Sequence, residues 1–297
     1  MILRPDSIEY LQKELPTSEG VTGFDLSAIN QLIEHVPEDM TATVQAGMTL
    51  GDFQAELTKQ NQWLPMDPPC PDALSIGALL GGNASGPRRF GFGTARDWLI
   101  GMTVVLPDGQ LVRNGGKVVK NVAGFDLCKL FVGSRGTLGV IVEATFKLLP
   151  VPEKEIFRQR KCASLDEADE LMAKIWESET QPHVLDLHCI GGQPVTLVVG
   201  FAGAAADVNA QVQVAARLGI ETEANFDYDE SIHSQPLATV SVPPAKVIER
   251  LRHLDNFVAH AGNGIIYHPG EQTPHESTAL EQRIKDAFDP KGILPAS

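Results

Sequence analysis

Residues 75–86 read SIGALLGGNASG, contain four glycines, two alanines and two serines, and directly follow the proline-rich stretch PMDPPCPDAL. Because glycine lacks a Cβ atom, a neighbouring group can approach the main chain of such a stretch closely. An isolated glycine-rich stretch most often forms a turn. Residues 75–86 therefore either form a simple turn or let another group pack directly against their main chain.

A second stretch of the same kind lies at residues 133–139, GSRGTLG, where the hydroxyl side chains of Ser134 and Thr137 accompany three glycines. Exposed backbone N–H groups in such loops form concave binding sites for anions. Bare backbone also lets a flat ring lie against it. Since a dinucleotide needs both features, we expect the two stretches to fold together around one dinucleotide.

The glycine spacing distinguishes between classes of nucleotide-binding protein. Gly77, Gly81 and Gly82 do not match the GxGxxG fingerprint, and no acidic residue about 20 positions further on ends a second parallel strand. The GxxxxGK[ST] motif of P-loop proteins does not occur in the sequence either. The pattern disfavours both a nicotinamide cofactor on a Rossmann fold and nucleotide hydrolysis, and it leaves FAD bound outside a Rossmann fold.

Composition narrows the classes of partner. The 297 residues include 24 Lys and Arg against 38 Asp and Glu, which gives a net charge of −14 and disfavours binding to nucleic acid or anionic membrane surfaces. No apolar run reaches the roughly 18 residues that a transmembrane helix needs, and the first ten residues do not resemble a signal peptide. We expect a cytoplasmic protein of two domains.

The four cysteines occur singly, with no CxxC pair, which indicates reduced thiols rather than disulfides or a metal site. Cys70 lies beside the first glycine-rich stretch, where it could attach a cofactor covalently. Because free cysteines are usually buried small apolar residues, we expect non-covalent binding instead.

A proline-rich stretch near residues 148–155 predicts a boundary between domains at 1–152 and 153–297. In the first domain, residues 41–47 alternate as a strand, Leu50, Phe53 and Leu57 have helical spacing, and a hairpin turns at Asp108–Gly109. The pattern predicts a strand-rich α+β domain.

The second domain has a different order of predicted strands and helices. Residues 155–163 and 183–190 read as strands, Ser164 is the expected N-cap of an intervening helix, and Gly219 is the expected end of a later one. Two β-α-β units of this kind predict a ferredoxin-like α+β cap, with helices on one face of an antiparallel sheet.

Three motifs in this order and spacing, NASGPRR at 83–89, VVKNVAG at 118–124 and GSRGTLG at 133–139, are highly specific. Residues 24–152 as a whole resemble the FAD-binding domain of the vanillyl-alcohol-oxidase type flavoproteins, also called the PCMH type. HAGNGI at 260–265 and IKDAFDPKGIL at 284–294 resemble weaker signatures of the same family. The resemblance implies an FAD-binding α+β domain followed by a smaller cap.

The resemblance also implies which residues contact a non-covalent FAD along its ribityl chain, diphosphate, ring and adenine. These residues are Ser75, Ile76, Gly77, Asn83, Ala84, Ser85, Gly86, Gly93, Gly133, Ser134, Gly136, Thr137, Leu138, Gly139, Val140 and Ile141.

The chain departs from the family pattern at its start. The family begins with a small β-α-β subdomain that carries an RGGG-like diphosphate loop, and we expect nothing of the kind in residues 1–23, so the N-terminal subdomain is truncated. A start residue misassigned from the gene would also explain the missing loop. Ala78 stands where the family often has a second glycine. Without several hydrogen bonds to the diphosphate, FAD binds more weakly unless a partner replaces them.

A further departure concerns catalysis. Relatives that oxidise 2-hydroxy acids carry HxGDGNxH, but this chain has Asn263, Ile265 and Tyr267 at three of those positions, and only His260 remains. His260 is either a substrate-side group or a hydrogen-bonded packing histidine, so we assign no catalytic residue and no metal ligand.

Several other polar residues have structural interpretations. His183 and His188 lie five apart on a predicted strand and hence on opposite faces, which argues against a shared metal. Lys120 and Asn121 either contact the flavin or hold the loop in position, and the second interpretation is the simpler one. Residues 88 and 89, both arginine, either offset diphosphate charge or form surface ion pairs.

Within the family, the chain resembles the FAD-binding subunit of multi-subunit oxidases of 2-hydroxy acids such as glycolate. This implies a role in electron transfer or assembly beside a catalytic flavoprotein subunit and an iron–sulfur subunit, with membrane association only through partners. Two alternatives stay open: a flavin-free scaffold that keeps the fold, and a self-sufficient oxidase of another small alcohol or acid.

Overall fold

The computed structural model describes residues 1–116, 127–224, 232–233, 237–272 and 277–296. These residues cluster into two compact units. The first contains Met1–Ser85, Thr94–Val151 and the described C-terminal residues 277–296, and the second contains Gly86–Gly93 and the described residues from Pro152 to 272.

In chain order, the strands are β1 (Ile2–Leu3), β2 (Gly23–Phe24), β3 (Leu32–Val36), β4 (Thr41–Gln45), β5 (Gln62–Trp63), β6 (Leu99–Val105), β7 (Leu111–Gly115), β8 (Val140–Lys147), β9 (Leu149–Pro150), β10 (Lys154–Lys161), β11 (Val184–Cys189), β12 (Thr196–Gly203), β13 (Thr222–Glu223), β14 (Leu237–Ser241), β15 (Phe257–His260) and β16 (Ile265–Pro269). The helices are α1 (Ile8–Glu14), α2 (Leu50–Thr58), α3 (Ile76–Gly82), α4 (Arg89–Phe92), α5 (Ala95–Trp98), α6 (Cys128–Phe131), α7 (Leu165–Glu177), α8 (Ala205–Arg217), α9 (Val247–Leu251) and α10 (Ala279–Phe288).

The first unit is built on an antiparallel sheet with the order β3-β4-β8-β6-β7 among the described strands. The helix expected after Thr49 is confirmed, because the Thr49 side chain accepts the N–H of Asp52 and the helix buries Leu50, Phe53 and Leu57. The hairpin between β6 and β7 also forms as expected. Helical spacing in the sequence therefore identified the residues that pack on this sheet.

The N-terminus holds a minimal β-α-β unit that the sequence analysis did not expect. Strands β1 and β2 pair in parallel, with Ile2 opposite Gly23 and Leu3 opposite Phe24, and α1 lies between them in the chain. Residues 15–22 connect α1 to β2 and contain a single glycine. The expectation that no strand–helix–strand unit fits here is corrected, and a glycine-rich diphosphate loop is absent from these described residues.

The C-terminal residues cluster with the first unit because they complete one of its cores. Ile293 and Leu294 are buried together with Leu3, Leu11 and Leu15. The expected second domain, 153–297, thus differs from the second unit at this end, and also at Gly86–Gly93. Sequence patterns predict the helix over these C-terminal residues but not which sheet it packs against.

The second unit contains an antiparallel sheet whose described strands have the order β13-β10-β12-β11-β15-β16-β14. Side chains from α7, α8 and α9 share one core with inward-facing residues of this sheet, including Leu185, Phe201 and Phe257. Ser164 accepts the N–H of Glu167 as the N-cap of α7, and Gly219 follows α8 with a φ of +78°. The expected α+β fold class is confirmed.

Within the described residues, no helix has both the length and the apolar character needed to cross a bilayer.

Candidate functional site

The first glycine-rich stretch forms α3 and the turn that follows it. Ser75 is the N-cap of α3, and its hydroxyl accepts the N–H of Ala78 at 3.2 Å. The backbone N–H of Gly77 donates to Ala46 O at 2.7 Å, which fixes the start of the helix against the end of β4. Asn83 ends the helix in the left-handed conformation with a φ of +48°, a position that asparagine tolerates well.

The second stretch lies directly against the first. The N–H of Gly133 donates to Leu80 O at 2.9 Å, and the N–H of Arg135 donates to Gly81 O at 2.9 Å. These bonds join segments that are far apart in the chain. The expectation that the two stretches fold together holds in the structure at the level of the backbone.

A pocket of about 260 Å³ opens where the two stretches meet. We call the five lining glycines that belong to the two stretches, Gly77, Gly81, Gly82, Gly136 and Gly139, the glycine cradle. The rest of the described lining consists of Thr22, Gly23, Phe24, Leu26, Ser75, Ala78, Arg135, Val140, Ile141 and Pro295.

Different contacts explain why the cradle lacks side chains. A Cβ atom on Gly139 would lie 2.6 Å from Val104 Cγ1, and one on Gly77 would lie 3.2 Å from Ala46 O, so neighbouring protein excludes side chains there. A Cβ atom on Gly82 would meet nothing within 4 Å, and one on Gly81 only Arg135 Cα at 3.8 Å. Protein packing therefore does not account for Gly81 and Gly82, which leave the pocket open to a ligand.

Two buried polar atoms of the glycine-rich stretches also lack hydrogen-bond partners among the described residues. Asn83 Oδ1 and Ser134 Oγ are buried and make no hydrogen bond within the described part of the chain. Asn83 belongs to the first stretch and Ser134 to the second, and Asn83 Cβ lies 3.7 Å from where a Cβ atom on Gly133 would be. Buried polar atoms are normally satisfied, so this pair fits a polar ligand that contacts both stretches.

The cradle fits part of a dinucleotide. Its volume of about 260 Å³ lies below the roughly 300–1,000 Å³ of typical small-molecule sites. Its bare backbone suits close approach by a diphosphate or a ring. The glycines of the cradle therefore fit part of an FAD molecule, and Gly81 and Gly82 are the two that protein packing leaves bare.

Four of the expected FAD contacts, Gly133, Ser134, Thr137 and Leu138, line an adjoining pocket of about 360 Å³ instead of the cradle pocket. Arg96 and Lys285 line the same pocket. Arg135 lines both pockets. The loop at 133–139 therefore separates two pockets of the first unit.

Five further expected contacts, like Asn83, lie outside both pockets. Ile76 is fully buried in the core, Ala84 is half-buried, and Ser85 is buried. Gly86 and Gly93 bound a segment that clusters with the second unit. None of these five residues is part of the described cradle lining.

That segment, Gly86–Gly93, is attached to the rest of the second unit by a partly buried ion pair. The guanidinium of Arg88 donates to both Glu155 oxygens at 2.8 and 2.7 Å, and His183 Nε2 lies 2.8 Å from Glu155 Oε1. Burial alone would raise the pKa of Glu155, but hydrogen bonds from His183 and Arg88 outweigh it and lower that pKa to about 2. Of the two interpretations of Arg88, the structure favours an ion pair, although a partly buried one; Arg89 is half-buried.

His260 lies inside the second unit. It is 1% exposed, its Nδ1 lies 2.9 Å from Asp186 Oδ2, and its ring packs edge-to-face on Tyr267. This is the environment of a packing histidine rather than a substrate-side group. Burial also lowers the pKa of His188 to about 4, so that imidazole is neutral near pH 7.

The cysteines are all free thiols, and Cys70 is exposed. No group of three or more His, Cys, Asp or Glu in the described residues is arranged to hold a metal ion. Lys120 and Asn121 lie outside the described residues.

The sequence analysis did not select Gly81, Gly82 or Arg135 as contacts. The two glycines were visible in the motif, but only the helical register of α3 turns them toward the pocket. One feature of the sequence could have identified Arg135 as a contact: it is a basic residue between the glycines of GSRGTLG in an acidic protein.

Comparison with known proteins agrees with this geometry. Residues 10–115 match the family model described as an FAD binding domain. The glycolate oxidase subunit GlcD of Bacillus subtilis (strain 168) is 37% identical over 184 residues, which covers 62% of this chain and 38% of that protein. The glycolate oxidase subunit GlcE of Escherichia coli (strain K12) is 36% identical over 165 residues, which covers 54% of this chain and 46% of that protein.

A D-lactate dehydrogenase of Anaerostipes hadrus is 37% identical over 137 residues, which covers 46% of this chain and 29% of that protein. The chain therefore spans less than half the length of these curated relatives. Among solved structures, an alkyldihydroxyacetonephosphate synthase superposes with a TM-score of 0.74 at 17% identity, over 99% of this chain and 76% of that one. At this identity the superposition supports the fold alone.

Fold and site together define a two-unit α+β protein whose first unit carries a glycine-lined pocket. Residues 10–115 match the family model of FAD-binding domains, and the resemblance to PCMH-type flavoproteins is confirmed.

Proposed function

We propose that the first unit binds FAD non-covalently in the glycine cradle, and that the chain is the FAD-binding subunit of an oxidoreductase that acts on a 2-hydroxy acid such as glycolate. The observation that carries this proposal is the pair of backbone hydrogen bonds from Gly133 and Arg135 to Leu80 and Gly81, which brings both glycine-rich stretches to one pocket. When bound, FAD supplies a redox group that accepts and passes on electrons.

The names of relatives support the substrate class. Two matched proteins are named glycolate oxidase subunits, and others are named D-lactate or D-2-hydroxyglutarate dehydrogenases. Glycolate, lactate and 2-hydroxyglutarate all carry a hydroxyl group next to a carboxylate. The four free thiols agree with a reducing compartment, so a cytoplasmic location is part of the proposal.

We place the substrate chemistry on a partner. Removing the hydroxyl proton of a 2-hydroxy acid needs a base within hydrogen-bond reach of the substrate. His260 is 1% exposed, so its imidazole is shielded from a substrate and does not supply that base. The chain then serves electron transfer or assembly beside a catalytic flavoprotein subunit and an iron–sulfur subunit.

A flavin-free scaffold is the alternative with a specific observation in its favour. Phe24 and Pro295 line the cradle pocket, and its volume of about 260 Å³ is small for a whole dinucleotide. Under this alternative the site adds no flavin absorption, either in the purified protein or in its complex. FAD binding instead gives the absorption band of oxidised flavin.

Substitution of Gly82 by leucine tests FAD binding. Gly82 lines the cradle pocket, and a Cβ atom there would meet nothing within 4 Å, so a leucine adds volume at the pocket at a position that protein packing leaves open. We expect FAD affinity to fall roughly tenfold, since overpacking a site costs about 1–3 kcal/mol. Fluorescence titration of FAD with the purified full chain measures the change.

Ala55→Leu is the matched control, because Ala55 is an exposed residue of α2 in the same unit and lies outside the cradle lining. It should leave FAD affinity unchanged. Equal FAD affinity in Gly82→Leu and wild type, with both proteins folded, would remove the cradle as the binding site. Absence of flavin binding by wild type would favour the scaffold.

A further inference from the structure

We infer that Arg135 binds the diphosphate of FAD and takes over part of the role of a glycine-rich phosphate loop, which the described connection at 15–22 does not provide. The inference rests on the proposed function, since it names the anion-binding residue of that same site. Arg135 is the only charged side chain among the described residues that line the cradle pocket.

The position of Arg135 is set by the backbone. Its N–H donates to Gly81 O at 2.9 Å, and its Cα lies 3.8 Å from where a Cβ atom on Gly81 would be. The side chain therefore starts at the bare part of the cradle, where protein packing leaves room for a ligand. A guanidinium there can donate two parallel hydrogen bonds to phosphate oxygens.

The guanidinium of Arg135 is available to a ligand. No hydrogen bond or ion pair joins it to another residue in the part of the chain that the structure describes. In a protein with a net charge of −14, acidic side chains outnumber basic ones, so a charged group without a carboxylate partner beside a pocket is notable. Arg88, by comparison, is held by both oxygens of Glu155.

The local backbone conformation points the same way. Arg135 has a φ of +52° between Gly133 and Gly136, which also have positive φ. Left-handed backbone costs a non-glycine residue free energy, and glycine occupies it without that cost. Contact between the arginine side chain and an anionic ligand offsets that cost.

Neighbouring charges do not oppose an anion at Arg135. The adjoining pocket, which shares Arg135, is lined by Arg96, by Lys285, which is paired with Asp289, and by one acid, Glu281. The Glu281 carboxylate accepts the N–H of Thr278 at the start of α10. The N-terminal connection at 15–22 offers one glycine and no arginine or lysine, so Arg135 is the cation placed to offset diphosphate charge.

Two charge-neutralising variants test the inference. Arg135→Gln removes the guanidinium at the cradle, and Arg113→Gln removes one from the exposed face of β7, outside the cradle lining. Both change the net charge by the same amount. We expect the Kd for FAD to rise about tenfold in Arg135→Gln only, because hydrogen bonds between charged groups are lost there and solvent exposure limits their strength.

Ionic strength provides a second readout. Wild type and Arg113→Gln should lose FAD affinity as salt rises, and Arg135→Gln should lose less, since its phosphate contact is already gone. Arg135→Gly serves as a folding control, because glycine accepts the φ of +52° and should leave thermal stability equal or higher while FAD affinity falls.

The outcomes separate the inference from the proposed function. If wild type binds FAD and Arg135→Gln binds it equally well, the inference about Arg135 is overturned and the cradle stands. If both glutamine variants lose affinity equally, the effect is general electrostatics and the inference is again overturned. If wild type binds no FAD, the proposed function fails and the inference fails with it.

Discussion

Replacement of Glu155 by glutamine should destabilise the second unit by about 3 kcal/mol at pH 7, because breaking this partly buried ion pair leaves the Arg88 charge without its partner. Glu155 binds Arg88 through both carboxylate oxygens and lies 2.8 Å from His183 Nε2. Glutamine keeps the shape but turns an N–H group toward the guanidinium. Amide hydrogen exchange in β11 and β12 measures the loss for this unit separately.

The loss of stability in Glu155→Gln should become smaller as pH falls. The pKa of Glu155 is lowered from 4.5 to about 2 in the folded protein, so its contribution is fully present above pH 4.5 and is lost as pH falls toward 2. A shift of this size corresponds to about 3 kcal/mol. The difference in stability between wild type and Glu155→Gln should therefore shrink progressively between about pH 5 and pH 2.

Glu179→Gln is the control for loss of one acidic charge, because Glu179 is an exposed residue of the same unit. It should change exchange rates little at any pH. A difference between wild type and Glu155→Gln that stays constant down to pH 2 would show that the ion pair does not hold the segment in place.

The same ion pair shows what a sequence can and cannot predict here. Helical spacing in α2 and the N-cap Ser164 of α7 are local features, and both were predicted from neighbouring residues alone. The contact between Arg88 and Glu155 joins residues 67 apart in the chain, and no local pattern encodes it. Attachment of Gly86–Gly93 to the second unit therefore became visible only in the structure.

The candidate site likewise combines features that the sequence predicts with features that only the structure shows. Glycine content identified both stretches, since missing side chains are visible in any sequence. It did not separate Gly77, where a Cβ atom would lie 3.2 Å from Ala46 O, from Gly82, which is bare toward open space. That difference depends on which strand passes behind the helix, and it decides which glycine lies against protein and which one faces open space.

The N-terminal β-α-β unit was missed for a related reason. Strands of two residues, β1 and β2, are too short to produce an alternating pattern in the sequence. They form because Leu11 of α1 and the following Leu15 are buried in a core shared with Ile293 and Leu294 near the other end of the chain. Tertiary packing therefore determines a unit that local propensity does not.

The C-terminal segment should depend on one carboxylate, that of Asp289. Its Oδ1 accepts the N–H of Ile293 at 2.9 Å, and its Oδ2 accepts the N–H of Leu294 at 2.8 Å and a hydrogen bond from Lys285 Nζ at 2.5 Å. Burial would raise the pKa of Asp289, but these hydrogen bonds lower it overall, so the carboxylate is charged at neutral pH. Asp289→Asn should cost about 3–5 kcal/mol, because it leaves the Lys285 ammonium buried without a counter-charge.

A double variant, Lys285→Met with Asp289→Asn, separates the charge from the backbone contacts. It removes both charges, while the asparagine side-chain oxygen can still accept the N–H of Ile293 in place of the original oxygen. The double variant should be more stable than Asp289→Asn alone by at least about 1 kcal/mol, because no unpaired charge remains buried.

Thermal unfolding and hydrogen exchange over α10 measure both variants, and we expect Asp289→Asn alone to unfold roughly 10 °C below wild type. The double variant should recover part of that loss, since the buried ammonium that causes most of it is gone. If the double variant is as unstable as the single one, the backbone contacts to Ile293 and Leu294 hold the segment and the ion pair contributes little.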